Sequence, residues 1–279
     1  MLNRRTKPFS FLFCAVGKIS NKIMTIDLRY GDTIEQMKLI PDKSIDAIIC
    51  DLPYGTTACK WDTIIPFDKL WEQYERIIKD NGAIVLTASQ PFTSALVMSN
   101  PKLFKYEWIW EKNVASNFMQ YKFMVAKKHE NVLIFAKGKT KYNPIMEDKS
   151  ELSIQRMKYK FKDRKQSEHY KTDISKDRSD RQEKMYPTSV KKFNREVGLH
   201  PTQKPVSMME YFVLTYTDKN DTILDNTFGS CTTGIACINT DRNFIGIDNN
   251  MDYFNISKKR VEEKRKEKEF NLITSFGDG

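Results

Sequence analysis

The 279-residue sequence has only five cysteines, an odd number, and no two of them show Cys-x-x-Cys spacing. This argues against a zinc site or a disulfide framework and favours reduced thiols in a cytoplasmic protein. No apolar run is long enough to cross a bilayer, so we expect no membrane partner. Acidic residues are outnumbered by basic ones, 36 to 46, and the resulting net charge of +10 suits a polyanionic partner.

Residues 1–24 precede the first strand-like pattern, and we expect them to form a loose extension. Basic residues at positions 4, 5 and 7 precede an apolar run over 9–16, which faintly resembles a signal peptide. The run is short, and no clear small-x-small cleavage site follows it. Met24 directly precedes the strand-like segment, so an upstream start codon is an alternative origin for residues 1–23.

Strand-like and helix-like segments alternate along the rest of the chain, which predicts an α/β fold with a largely parallel sheet. The predicted strands cover 25–30, 45–50, 83–88, 106–110, 131–136, 222–224 and 244–247. The predicted helices cover 33–40, 67–79, 206–216, 234–239 and 253–269, and the charge of the last one predicts that it faces solvent. The mostly apolar strand 45–50 is typical of a strand buried on both faces of a sheet.

The composition changes in the segment 139–197, which holds 17 basic and 10 acidic residues with aromatic residues interleaved. We expect an insertion outside the core sheet. Two interpretations of it are open. The segment is either a solvated loop, or a nucleic-acid contact region whose basic side chains neutralise phosphates and whose aromatic rings stack on bases.

A strand, a turn of small residues and a helix follow one another between residues 222 and 236. Backbone N–H groups in such a turn can approach a ligand closely, and the helix N-terminus favours a carboxylate or phosphate. Asp248 ends the next strand, 19 positions after Gly229 (248 − 229), a spacing usual for a residue that binds ribose hydroxyls. Alone, this pattern fits any nucleotide-binding α/β unit or a tight turn.

The sequence Asp51-Leu52-Pro53-Tyr54 follows a buried strand, at the edge where open α/β sheets place their active sites. The Asp51 carboxylate and the main-chain carbonyl of Leu52 can accept the two hydrogens of a base amine, which frees its lone pair to attack a methyl sulfonium. Tyr54 can stack on the base, and Pro53 fixes the turn. The amine is inaccessible inside a duplex, so the base must be flipped out.

Taken in order, these motifs resemble the DNA amino-methyltransferases in the circularly permuted arrangement of the β class. The order is the Asp51 motif, the basic insertion, His200-Pro201-Thr202-Gln203-Lys204-Pro205, and then the turn from Asp225 to Thr233. Trp110-Glu111-Lys112 and the segment 129–137 are also similar, and the resemblance covers nearly all of 25–260. It implies a Rossmann-like methyltransferase fold with helices on both faces of a twisted sheet. The implied cofactor is S-adenosylmethionine and the implied partner is double-stranded DNA, while a homodimer is compatible with it.

The resemblance also implies a domain organisation and a set of cofactor contacts. The catalytic half covers 25–138, the inserted target-recognition region 139–197, the cofactor-binding half 198–270 and a tail 271–279. Asp32 should contact the adenine of the cofactor beside Asp248 on the ribose, and Lys204 should pair with its carboxylate. The full cofactor-binding set is Asp32, Lys204, Asp225, Thr227, Phe228, Gly229, Ser230, Cys231, Thr232, Thr233 and Asp248, and no metal ligand is expected.

Three residues depart from the family pattern. Leu52 replaces a proline, which is tolerable because the carbonyl needed there is main-chain. Thr227 stands where phenylalanine is common, and Cys231 replaces a glycine, so that a side chain could obstruct the close approach of the cofactor. Trp61 and Asp62 either line the catalytic pocket or pack the loop.

In the family that the sequence resembles, an acidic residue at the first position of the catalytic motif favours adenine and a serine favours cytosine. The resemblance therefore implies, through Asp51, methylation of adenine N6. Three alternatives stay open. They are a cytosine-N4 DNA methyltransferase, an enzyme that methylates an amine or amide of a protein or small molecule, and a catalytically inactive DNA-binding relative impaired at Cys231. A role in restriction-modification and an orphan or viral role are both compatible with the sequence.

Overall fold

A computed structural model describes residues 24–56, 62–159, 184–196, 198 and 203–277. The predictions for the N-terminal extension 1–23, for Trp61 and His200, and for most of the basic insertion lie outside these described residues.

The described part of the chain contains ten strands and seven α-helices. The strands are β1 (Ile26–Tyr30), β2 (Ile45–Asp51), β3 (Ile78–Ala88), β4 (Phe104–Lys112), β5 (His129–Phe135), β6 (Glu147–Asp148), β7 (Lys184–Met185), β8 (Val190–Phe193), β9 (Thr222–Asp225) and β10 (Asn243–Asp248). The helices are α1 (Thr33–Lys38), α2 (Phe67–Ile77), α3 (Phe92–Ser99), α4 (Glu151–Tyr159), α5 (Val206–Tyr216), α6 (Thr232–Thr240) and α7 (Met251–Gly277).

Eight strands form one sheet in the order β1-β10-β9-β2-β3-β5-β4-β8. Neighbours from β1 to β3 are parallel, β5 is antiparallel to both of its neighbours, and β8 is parallel to β4. The sheet is therefore largely parallel, as the alternation of segments predicts. β6 and β7 pair separately as a short antiparallel ribbon.

Strand β1 lies beside β10, with Tyr30 paired to Asp248. The N–H of Gly31 also donates to the carbonyl of Asp248 at 3.0 Å. The first and last of the described strands are thus neighbours at one edge of the sheet, and Asp32 follows a strand adjacent to the one that ends in Asp248.

The two faces of the sheet are covered by different helices, which confirms the predicted layers. Ile48 packs in a cluster with α1, α2 and α3, and Ile49, one position on, packs in the opposite cluster with α5 and α6. Successive side chains of a strand point to opposite faces, so both faces of β2 are buried and its sequence is mostly apolar.

One prediction about the sheet is wrong. Val190–Phe193 was expected outside the sheet, but this segment forms β8 and supplies backbone partners to the edge of β4. Most residues of α7 are exposed, as the charge of the last helix predicts, while Ser257 and Val261 are buried and α7 packs against α6. Helix α3 was not predicted at all.

No helix in the described ranges is both long and apolar enough to span a membrane.

Candidate active site

A cavity of about 800 Å³ lies at the carboxyl ends of the parallel strands. The ends of β1, β2, β9 and β10 contribute Gly31, Asp51, Asp225 and Asp248 to its wall. Each predicted site residue except Cys231 lines this one cavity: Asp32, Asp51, Leu52, Pro53, Tyr54, Lys204, Asp225, Thr227, Phe228, Gly229, Ser230, Thr232, Thr233 and Asp248. The structure therefore places the Asp51 motif and the turn after β9 in one cavity, although more than a hundred residues separate them in the sequence.

Asp51, the last residue of β2, is held from several directions. Its Oδ1 accepts hydrogen bonds from the Tyr54 hydroxyl at 2.8 Å and from the Thr87 hydroxyl. Its Oδ2 accepts one from the Lys204 ammonium at 2.5 Å. The main-chain carbonyl of Asp51 accepts the Thr227 hydroxyl at 2.9 Å, so the catalytic motif is bonded directly to the turn after β9.

Lys204 is 7% exposed and belongs to a buried group of charges. Its ammonium lies 3.7 Å from Glu130, which also pairs with Lys112. Burial opposes the charge of Lys204, but the carboxylates of Asp51 and Glu130 outweigh burial and raise its pKa. Burial lowers the pKa of Lys112 despite the Glu130 carboxylate. Sequence reasoning placed Lys204 at the cofactor carboxylate and missed its contact with Asp51.

Tyr54 packs its ring on Phe92, with centroids 5.1 Å apart and planes inclined by 25°. Burial raises the pKa of its hydroxyl, which therefore stays neutral and donates to Asp51. The Lys204 ammonium lies 5.5 Å from the centroid of the ring. Stacking of Tyr54 on a substrate base stays a prediction.

Asp62 fixes the backbone that follows Tyr54. Its two carboxylate oxygens accept the N–H groups of Gly55 and Thr56, each at 2.8 Å. Asp62 also lines the cavity, so the two roles that the sequence left open both apply to it.

The carboxylates of Asp248 and Asp32 border the other part of the cavity. Asp248 accepts the N–H of Gly229 on Oδ2 and the N–H of Asn250 on Oδ1, each at 2.8 Å. Asp32 caps α1 by accepting the N–H groups of Ile34 and Glu35 on its Oδ1, at 3.0 and 3.1 Å. Carboxylate oxygens have two lone pairs each, so both residues keep acceptor capacity for ligand hydroxyl or amine groups.

Asp225 is a buried carboxyl in the cavity wall. Burial raises its pKa to about 7, although the Thr233 side chain and the Thr227 N–H favour the charged form. A carboxyl with a pKa near neutrality can take up a charge when a cation binds beside it.

Helix α7 holds the turn after β9 from outside the cavity. The Ser257 hydroxyl donates to the Gly229 carbonyl at 2.7 Å, and the Arg260 guanidinium donates to the Ser230 carbonyl at 2.6 Å. Burial lowers the pKa of Arg260. Sequence reasoning missed both residues because the charge of α7 hides these two positions among many exposed ones.

Cys231 does not obstruct the cavity. It has a left-handed backbone (φ +60°) directly before α6, and it is fully buried. Its sulfur lies where a β-carbon of Gly234 would stand, so the side chain points into the core. Burial raises the pKa of its thiol, which makes it unreactive.

Residues 45–259 match the family model described as DNA methylase, the N6/N4 methyltransferase family. The chain belongs to this family. The resemblance to the DNA amino-methyltransferases is thereby confirmed, and the permuted β-class arrangement stays a prediction.

Two relatives are similar to this methylase over most of their length. The type II methyltransferase M2.MboI of Moraxella bovis is 28% identical over 259 residues, which cover 84% of this chain and 86% of that protein. The DNA adenine methyltransferase YhdJ of Escherichia coli (strain K12) is 26% identical over 273 residues, which cover 89% of this chain and 86% of that protein.

Two solved structures share the fold. The M1.HpyAVI–SAM complex has a TM-score of 0.57 at 21% identity and covers 85% of this chain and 98% of its own. The PvuII DNA methyltransferase, described as cytosine-N4-specific, has a TM-score of 0.61 at 13% identity and covers 87% of this chain and 92% of its own. The methylase thus has the Rossmann-like methyltransferase fold.

The methylase uses S-adenosylmethionine, the cofactor of this family. The cavity fits that molecule in size, since small-molecule sites usually measure about 300–1,000 Å³. It also fits in chemistry, because Asp32 and Asp248 offer acceptors for adenosine groups and the buried Asp225 can face a cation. Described residues contain no group of side chains that could hold a metal ion.

Proposed function

We propose that this DNA methyltransferase methylates N6 of an adenine that is flipped out of double-stranded DNA. The observation that carries the proposal is the position of Asp51, whose carboxylate lies in the same cavity as the turn after β9 and whose carbonyl is bonded to Thr227 of that turn. A base that enters beside Asp51 would therefore meet the cofactor in the same space.

The bound cofactor supplies an electrophilic methyl group on its sulfonium. Asp51 accepts one hydrogen of the adenine amine and the main-chain carbonyl of Leu52 accepts the other, so the nitrogen lone pair is released from the ring. The new N–CH₃ bond forms as the S–CH₃ bond breaks. The amine proton then passes to the Asp51 carboxylate, which leaves a neutral methylamino group. No covalent link to the protein is needed.

The side chains around Asp51 fix its carboxylate for this task. Oδ1 is oriented by Tyr54 and Thr87. Among the described residues Oδ2 accepts a hydrogen bond from Lys204 alone, which leaves it acceptor capacity for the substrate amine. The Lys204 ammonium holds the Asp51 carboxylate in place through this contact. We assign Tyr54 to stacking on the flipped base and Pro53 to fixing the turn.

The cofactor roles are part of the same proposal. Asp32 binds the adenine, Asp248 the ribose, and Thr227, Phe228, Gly229, Ser230, Thr232 and Thr233 surround the methionine end with Asp225. The basic segment 139–197 carries target recognition, and its last strand, β8, attaches it to the edge of the sheet.

Two observations favour adenine over cytosine. The first residue of the catalytic motif is acidic, and a relative that matches 89% of the chain is described as a DNA adenine methyltransferase. The cytosine-N4 enzyme among the solved structures shares only the fold with this chain. Methylation of cytosine N4 is therefore the alternative, and it would need the same site geometry.

The test is nucleoside analysis by mass spectrometry of DNA from a methylation-free host that expresses the chain. We compare wild type, Asp51→Ala and, as matched control, Asp80→Ala, an exposed carboxylate outside the cavity. N6-methyladenine in wild type and control, absent from Asp51→Ala, would support the proposal. N4-methylcytosine would overturn the choice of base. Absence of any modified base would contradict DNA methylation. Calorimetry of cofactor binding would then separate the two remaining alternatives, because a methyltransferase with a non-DNA substrate binds the cofactor and an inactive relative need not bind it.

A further inference from the structure

The loop between β4 and β5, residues 113–128, holds large apolar side chains in solvent. Phe118 is 71% exposed, Met119 82%, Phe123 86% and Val125 86%. Val114, Tyr121 and Met124 are also exposed. So many apolar side chains on one short loop are unusual for a surface that faces only water and mark a site of interaction. We call residues 113–128 the apolar loop.

Hydrogen bonds at its base hold the apolar loop in one shape. The Asn117 side chain donates to the Val125 carbonyl at 2.9 Å and accepts the Lys127 N–H at 2.7 Å. The Ser116 N–H donates to the Lys127 carbonyl at 3.0 Å, and Phe118–Gln120 form a 3₁₀ turn. The exposed side chains are thus presented by a fixed scaffold.

The base of the apolar loop belongs to the active-site cavity. Ser116, Asn117, Gln120 and Lys127 line the same space as Asp51. The Lys127 ammonium is also bonded to the Ser89 hydroxyl, directly after β3. The exposed tip therefore stands next to the place where the target base must enter.

The charge of the apolar loop selects the partner. Residues 113–128 contain three lysines, Lys122, Lys127 and Lys128, and no acidic residue. Docking of two such loops in a symmetric dimer would bring lysines of equal charge together, whereas a phosphate backbone would neutralise them. Apolar side chains flanked by lysines match a nucleic-acid duplex, whose base steps accept apolar wedges between two rows of phosphates.

We propose that the apolar loop inserts its tip into the DNA stack where the target base has left it, and so holds that base in the cavity. The inference rests on the proposed function, because it requires a flipped base. Phe118 and Phe123 fill the gap left by the base, and Lys122 binds a flanking phosphate, since Lys127 is bonded to Ser89 and Lys128 lies 3.5 Å from the Glu111 carboxylate. The loop thereby offsets the unfavourable unstacking and unpairing of the target.

The test uses the double substitution Phe118→Ala with Phe123→Ala in the full chain, with Phe270→Ala as matched control. Phe270 lies on α7, is 66% exposed and does not line the cavity. Two substrates carry the site found by sequencing of modified bases. One is fully paired, and the other has an abasic position opposite the target, which makes flipping easier. Methylation rates and cofactor affinity are measured on each protein.

We expect the double variant to lose about tenfold to a hundredfold in kcat/KM on the paired duplex and less than about threefold on the abasic one, with cofactor affinity unchanged. The control should match wild type on both. Equal losses of kcat/KM on the two duplexes, or no loss on either, would overturn the proposal that the apolar loop acts as a wedge in the DNA stack. So would a wild-type dimer in sedimentation that the double substitution dissociates. If the wild-type protein methylates neither duplex, both the proposed function and the wedge role of the apolar loop are wrong. If the wild-type protein and the double variant methylate both duplexes equally well, only the wedge role is wrong.

Discussion

The sulfur of Cys231 occupies the space that a β-carbon at Gly234 would fill. Phe244 borders the same space, with its ring edge 2.9 Å from that β-carbon position. Cys231 and Gly234 therefore form a complementary pair: the missing β-carbon of Gly234 leaves room for the side chain of Cys231. The family pattern predicts a glycine, and hence no side chain, at position 231. The cofactor side of the turn keeps its backbone surface.

Gly234→Ala should lower the free energy of unfolding by about 1–3 kcal/mol, the usual cost of overpacking a core. In a Cys231→Gly background the same change should cost less, with Phe244 left as the remaining obstacle. Chemical denaturation of the four proteins measures this coupling as a double-mutant cycle. Strictly additive effects would contradict the pairing. Cofactor affinity of Cys231→Gly should equal that of wild type, and a large gain would revive the idea that Cys231 obstructs the site.

Cofactor affinity should rise with pH through the pKa of Asp225, about 7. Below this pH the carboxyl is neutral and offers little to a cationic ligand, and above it the charge is present. The association constant should increase up to tenfold per pH unit below pH 7 and level off above it. Calorimetry at pH 6, 7 and 8 measures the rise. In Asp225→Asn the rise should be lost, and an unchanged slope would assign it to another group.

The same carboxyl should affect stability. Its pKa is raised on folding, so its contribution to the free energy of unfolding is fully present below the unfolded pKa of about 4 and is lost as pH rises to about 7. Because the shift is about three units, wild type should lose up to about 4 kcal/mol relative to Asp225→Asn across that window. Denaturation midpoints at pH 4 and pH 7.5 measure the difference, and parallel curves for the two proteins would refute it.

Lys204→Gln should slow methyl transfer by at least about a hundredfold and leave cofactor affinity within about threefold. The reason is its 2.5 Å contact with Asp51, since loss of one member of a buried ion pair leaves the other unbalanced. Single-turnover rates and calorimetry separate the two effects. The opposite pattern, weak cofactor binding with a normal rate at saturation, would support the contact with the cofactor carboxylate that the sequence predicts for Lys204. Lys219→Gln, at an exposed lysine, serves as control.

Arg260→Met should weaken cofactor binding about tenfold without changing the rate at saturation. The substitution keeps the length of the side chain but removes the donor to the Ser230 carbonyl, so the turn after β9 is held less firmly. Lys259→Met, one position earlier on α7 and exposed, is the matched control. Equal effects of the two substitutions would show that general loss of charge on α7 is responsible.

The sequence by itself determined the alternation of strands and helices, because burial on both faces makes β2 mostly apolar and one-sided burial gives α2 its helical periodicity. It also indicated that the Asp51 motif and the turn from Asp225 to Thr233 border one cavity, since strand ends and small-residue turns are local features that a short stretch of sequence specifies. The order of the motifs then led to the family, and the family model confirmed it.

Only the tertiary structure decided how distant residues meet. Lys204 reaches Asp51 across 153 positions, and Arg260 reaches the turn from a helix whose charge suggests solvent on every side. β8 joins the sheet because the edge of β4 is open to pairing. The four residues of β8 lie in a basic segment, and their sequence alone does not indicate that they form a strand of this sheet. The direction of the Cys231 side chain depends on the left-handed backbone at Cys231 and on the missing β-carbon of Gly234. Such contacts depend on packing between segments far apart in the chain, and no local pattern encodes them.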